Sequence, residues 1–222
     1  MKGAVAALIC LLAAPASAEV VTRLPTTEKV VALTFDACEA PNQPATFDQG
    51  ILAVLEAGKL PFTIFASGLF AERNRAELAR LAASPLVEVE NHSYSHPQHM
   101  ERLTGEAFDQ QVARTDRVIE SITGRRPAFF RFPAGNYDAH ALAAVEASGH
   151  RVVHWSFASG DPVRGLAPEH LKEWVLAKTR PGDILIFHVN GRAPATSQAL
   201  PGILATLTAR GYRFVRLDEM LK

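Results

Sequence analysis

Two hydrophobic periods alternate along the chain. KVVALTF (29–35), PFTIFAS (61–67), LVEVEN (86–91), AFFRF (128–132), RVVHW (151–155), DILIFH (183–188) and YRFVRL (212–217) are short apolar runs rich in β-branched and aromatic residues, the pattern of buried strands. Between them, apolar residues recur at helical spacing over 48–57, 69–83, 106–123, 138–149, 168–178 and 197–210. Asp48 and Asp138 suit N-caps and Pro168 a first helical turn. Gly58, Gly124, Gly149 and Gly211 suit helix stops.

Strand–helix units in series, with no break in composition, predict one α/β domain over residues 19–222, a parallel sheet with helices outside. Asp36, His92, Arg131 and His188 each fall at or just past the C-terminal end of a different predicted strand. In a parallel barrel those ends meet around one mouth, whereas an open sheet gathers only the ends near its switch point. A distorted parallel β/α barrel of about seven strands is therefore predicted. Gly-rich phosphate fingerprints are absent, which argues against a nucleotide-binding fold.

Residues 1–18 read differently. Lys2, an apolar run from Ala4 to Ala14 too short to span a bilayer comfortably, and Ala16-Ser17-Ala18 predict a cleaved secretory signal. The expectation is an exported protein, periplasmic or secreted, with no stable membrane span after cleavage. Its mature part keeps one cysteine, Cys38, and so has no internal disulfide. Lys plus Arg and Asp plus Glu number 23 each, and no basic stripe is visible, so nucleic acid is not an expected partner.

The candidate chemistry lies at the strand ends. His92 and His96, in ENHSYSHPQH, can direct two imidazoles at one metal ion, but a catalytic metal needs a third protein ligand and an open position. Alone the pair also reads as a His-rich surface loop. Asp36 in LTFDAC is a reactive carboxylate or a turn residue. His188 in LIFHVNG is a proton donor or acceptor, or a core histidine bonded to a carbonyl. Arg131 in FFRFPAGNY can hold a carboxylate, with Asp161 in SFASGDP as a candidate partner. Cys38 is an inert buried thiol, a soft metal ligand or a redox liability. Trp155 and Trp174 are expected to pack in the interior rather than stack on sugars. Each plain reading stands separately. Four such groups on one barrel face are harder to explain that way.

TFDAC, NHSYSH, RFPAG, the WSFASGDP region and LIFH occur in the order of the five motifs of the NodB-type polysaccharide deacetylases, carbohydrate esterase family 4, and the chain resembles that family from about Val30 to Leu221. The resemblance implies a distorted β/α barrel and a divalent metal, usually zinc, with cobalt or manganese as alternatives. It implies Asp36 as general base, His92 and His96 as metal ligands, Arg131 orienting Asp36, and His188 as general acid. Backbone N–H groups at Ala134 and Gly135 would stabilise the oxyanion. The chain departs from the family in having Ala37 where a second, metal-binding aspartate usually stands. Three outcomes are open: Asp36 binds the metal itself, Cys38, Glu39 or water replaces the ligand, or the site holds no metal. In the fourth motif only Asp161 is available to brace Arg131.

The expected activity is metal-dependent removal of N-acetyl groups from an N-acetylglucosamine-containing polysaccharide: peptidoglycan, a chitin-like chain or poly-N-acetylglucosamine. A non-catalytic glycan-binding protein and a hydrolase of another non-peptide C–N bond are the alternatives.

Overall fold

The seven apolar runs form parallel strands because each can be buried on both faces. A computed structural model describes residues 19–39, 42 and 44–221, so the expected leader lies outside the described residues. The strands are β1 (Val30–Ala37), β2 (Phe62–Ala66), β3 (Val87–Asn91), β4 (Phe129–Phe130), β5 (Arg151–Val152), β6 (Ile184–His188) and β7 (Arg213–Val215). Helices α1 (Gln49–Ala57), α2 (Gly68–Arg73), α3 (Arg75–Ala82), α4 (Glu106–Thr123), α5 (Ala139–Ala147), α6 (Pro168–Lys178) and α7 (Pro194–Ala209) connect them.

Sheet order is β5-β4-β3-β2-β1-β6, with β7 also paired to β1, and every ladder is parallel. Among the described residues no ladder joins β5 to β6. That seam is crossed by isolated bridges, Val21 to Val153, Arg23 to Asp183 and Phe157 to Leu185. The result is the distorted barrel predicted from the sequence.

Side chains alternate across each strand. Leu33, Phe35 and Ala37 of β1 and Val87 and Val89 of β3 face the helices, in one core with Ile51, Leu55, Phe70, Leu78, Leu171 and Ile203. The other face of β1 and β3 therefore carries Thr34 and Asp36, and Glu88 and Glu90, into the barrel. A smaller apolar cluster of Phe65, Phe129, Val153, Ile184, Val215 and Leu217 fills part of that interior.

Most predicted caps hold. Asp48 accepts from the N–H groups of Gly50 and Ile51, Asp138 accepts from Ala141, and Gly124 takes a left-handed φ of 71°. The expected helix over 69–83 is instead two. Asn74 breaks it by donating its side-chain amide to the carbonyls of Phe70 and Ala45, which ties the break to the neighbouring loop. No helix among the described residues is long and apolar enough to cross a membrane.

Candidate active site

Parallel pairing sets Asp36 of β1 directly beside His188 of β6, as register partners at the barrel mouth. Arg131, just beyond β4, is fully buried and spends its guanidinium on three acceptors. One N–H donates to Asp36 Oδ1 at 2.7 Å, Nε–H to the Val153 carbonyl at 3.1 Å, and the last to the His154 carbonyl at 2.9 Å. Phe65 lies beneath the guanidinium carbon at 3.9 Å. A buried cation with this many acceptors is tolerable only as a complete set.

Burial pushes the Asp36 carboxyl up, but the charges of Arg131 and His188, with the Arg131 hydrogen bond, outweigh it and hold the group down at about 2. Asp36 is thus ionised at neutral pH and fixed in orientation. It is also a weak base, which cannot deprotonate ordinary water efficiently.

Asp161 does not brace Arg131, as the motif order suggested. It is fully buried and holds His188 instead, its Oδ1 lying 2.9 Å from His188 Nδ1 and its Oδ2 accepting the His188 backbone N–H at 2.7 Å. Thr196 and Ser159 hydroxyls donate to the same carboxylate at 2.9 and 3.1 Å. Burial pulls the His188 imidazole down, yet its hydrogen bond to Asp161 and the charges of Asp161 and Asp36 raise it overall. With Nδ1 committed to Asp161, Nε2 is the nitrogen left to exchange a proton. Arg131 finds its bracing in the two backbone carbonyls, which no side-chain pattern announces.

His92 and His96 stand together, ring centroids 4.9 Å apart. Burial lowers both imidazoles, His96 to about 3, so they are neutral donors. His92 Nδ1 is 2.9 Å from the Arg131 carbonyl, which can only accept, so the ring proton sits there. Its Nε2 then turns a lone pair toward Asp36 Oδ2 at 3.4 Å. Two lone pairs facing each other require a cation or a proton between them. Two ligand atoms at about 2.0–2.1 Å from one tetrahedral ion also stand roughly 3.3 Å apart. The His92 Nε2–Asp36 Oδ2 pair is therefore spaced as two ligands of one divalent ion would be.

The other candidates for the missing carboxylate have partners of their own. Ala37 is packed in the helix-facing core. Burial and the Asp36 charge push the Cys38 thiol up to about 12, and its sulfur accepts from Asn190. Glu39 is bound to Arg73 and to the Ala45 N–H. Among the described residues no group of three or more His, Cys, Asp or Glu side chains forms a ready metal cage. His92 and Asp36 are the pair so spaced, with the His96 ring beside them.

Ala134 and Gly135 both adopt left-handed backbone, φ 54° and 73°. Gly135 is not the expected oxyanion donor, because its N–H is spent on the Phe132 carbonyl at 3.0 Å. It is needed as glycine, since a Cβ there would lie 2.9 Å from the Trp155 ring. Ala134 does line the cleft, a cavity of about 330 Å³ whose walls include Asp36, His96, Gln98, Trp155, Asp161 and His188. Trp155 therefore faces the cleft, although interior packing was expected. Gln98 and Thr196 carried no sequence signal of their own.

The polysaccharide deacetylase family profile matches residues 23–153, more than half of the chain. The chain belongs to the polysaccharide deacetylase family. This deacetylase domain is 28% identical over 194 residues to a peptidoglycan-N-acetylglucosamine deacetylase of Bacillus cereus, covering 86% of this chain and 68% of that protein. It is 29% identical to a chitooligosaccharide deacetylase of Bradyrhizobium, covering 86% and 90% of the two chains. It superimposes, with a TM-score of 0.82 and 25% identity over 93% of this chain and 72% of the other, on a mutant of a Bacillus anthracis family 4 carbohydrate esterase pseudoenzyme with restored enzymatic activity.

Proposed function

We propose that this deacetylase-family chain removes N-acetyl groups from an N-acetylglucosamine-containing polysaccharide with the help of a divalent metal. One observation carries the reading: Asp36 and His188 are register neighbours at one cleft, each held by its own buried partner, Arg131 and Asp161, and shifted in opposite directions. Opposed shifts on two neighbouring groups are the arrangement that separates a base from an acid.

His92, His96 and Asp36 would hold the ion. When bound, zinc, cobalt or manganese there supplies Lewis-acid polarisation of the amide carbonyl and acidifies water, which a base as weak as Asp36 requires. Arg131 keeps the Asp36 carboxylate aimed into the cleft. Asp36 accepts the proton of the attacking water, Ala134 contributes its backbone N–H to the developing oxyanion, and His188 gives a proton from Nε2 to the departing amine. The two relatives named for peptidoglycan and chitooligosaccharide support the polymer class. The signal-like sequence at 1–18 supports export to the periplasm or medium, checked by N-terminal sequencing of the mature protein.

Acetate release from peptidoglycan, chitooligosaccharides or poly-N-acetylglucosamine in the presence of Zn²⁺, Co²⁺ or Mn²⁺ tests the reading. It should stop with chelator and fall roughly 10²–10⁴-fold in Asp36→Asn and in His188→Ala. Ala37 favours a second reading: a glycan binder without turnover. Chelator-insensitive glycan binding with no acetate from any of these polymers would establish that reading instead.

A further inference from the structure

Trp174 is 42% exposed on α6, contrary to the expected interior packing, and Val163, 58% exposed, lies on the same depression. That depression is a cavity of about 280 Å³, walled otherwise by Leu166, His170 and Leu171. Ala158, Ser159 and Gly160 line both it and the catalytic cleft. The Trp174 indole N–H donates to the Ala158 carbonyl at 3.0 Å, and the Lys178 ammonium sits over the ring at 4.7 Å. The indole is thus held in one orientation by the loop that bounds the cleft, so little freedom is lost when a ligand stacks on it.

We propose that this depression is an accessory subsite that takes one pyranose ring of the same glycan strand whose N-acetyl group lies at Asp36 and His188. Three features select a sugar ring as occupant. An exposed, orientation-locked indole offers an apolar face to the C–H face of a pyranose. The cavity is small, with polar His170 among aliphatic walls. Its rim is continuous with the cleft that would hold the neighbouring part of the strand. The identity of that strand rests on the deacetylase reading; the subsite itself does not need turnover.

The test uses the mature chain with chitohexaose and chitobiose. Affinity is measured by calorimetry in chelator, which suppresses turnover, and kcat/KM is measured with metal. In Trp174→Ala the hexamer-to-dimer ratio of affinity, and of kcat/KM, should fall roughly fivefold, the factor one aromatic contact of about 1 kcal/mol gives. Trp174→Phe should restore most of it. Equal losses on both sugars would mean only a displaced Ala158–Gly160 loop and would overturn the subsite, as would an unchanged ratio or a hexamer that does not bind wild-type protein. Trp174-dependent hexamer binding without acetate release would keep the subsite and remove the deacetylase reading. Acetate release with an unchanged ratio would do the reverse.

Discussion

Replacing Glu88 by glutamine should make the protein's stability less sensitive to alkaline pH. Glu88 points into the barrel from β3 and is 5% exposed. Its Oε2 accepts from the Thr63 hydroxyl at 2.5 Å and from the Leu217 N–H at 3.0 Å. Burial first, then the charge of Asp218, against the Thr63 hydrogen bond, raise its carboxyl from 4.5 to about 7, and Glu90 lies beside it as a second buried acid. A raised folded-state value means that the native protein keeps a proton the unfolded chain has released. Stability therefore falls as pH rises from the unfolded value through the folded one. At 1.36 kcal/mol per pH unit, the shift from 4.5 to about 7 corresponds to about 3 kcal/mol lost between roughly pH 5 and 8. Glutamine keeps an acceptor for Thr63 and Leu217 and removes the charge that Glu90 faces. Urea denaturation at intervals from about pH 5 to 9 should show the wild-type decline and a decline smaller by roughly 2–3 kcal/mol in Glu88→Gln. Asp36 and His188 titrate in both proteins and cancel in the difference. Parallel pH profiles for the two proteins would refute the reasoning.

Other consequences follow from the same contacts. Asp161→Asn removes the charge that raises His188, so the alkaline limb of kcat should move to lower pH and kcat should drop roughly 10²-fold; an unmoved limb contradicts the tether. Arg131→Met leaves Asp36 buried without its partner and should cost about 3–5 kcal/mol in urea denaturation, a loss under about 1 kcal/mol being incompatible with the described network. Gly135→Ala forces a Cβ into left-handed backbone and against Trp155, and should cost about 1–3 kcal/mol with an altered tryptophan emission spectrum, whereas an unchanged spectrum and midpoint would contradict the packing.

The features legible beforehand are those that repeat or that sit at a fixed place in the repeat. Apolar runs such as DILIFH gave strand position to within a residue or two, and their ends placed Asp36, Arg131 and His188 on one mouth. Partner choice was not legible. Motif order matches Asp161 to Arg131 because it is the acid available in the fourth motif. The winning arrangement depends on where the loop after β5 carries it, close to His188 and to Thr196 on α7. Gly135 looked like an oxyanion donor because only local hydrogen bonding in its own turn spends the N–H. Trp174 was assigned to the interior on residue type, although its helix presents it at the surface. The break at Asn74 needed the Ala45 carbonyl, a contact across 29 positions that no local pattern encodes.

The uneven closure of the barrel has a consequence for handling and folding. Between β5 and β6 the wall is held by a clasp, Val21 against Val153 and Arg23 against Asp183, the latter also an ion pair of 2.7 Å. Pairings between positions more than 130 apart in sequence carry a large loop-closure cost, so the clasp is expected to shut late, after the neighbouring strands have assembled. Arg131 draws two of its acceptors, the carbonyls of Val153 and His154, from that same margin. Shortening the chain past Val21 would therefore loosen the support under Asp36 through the carbonyls of Val153 and His154.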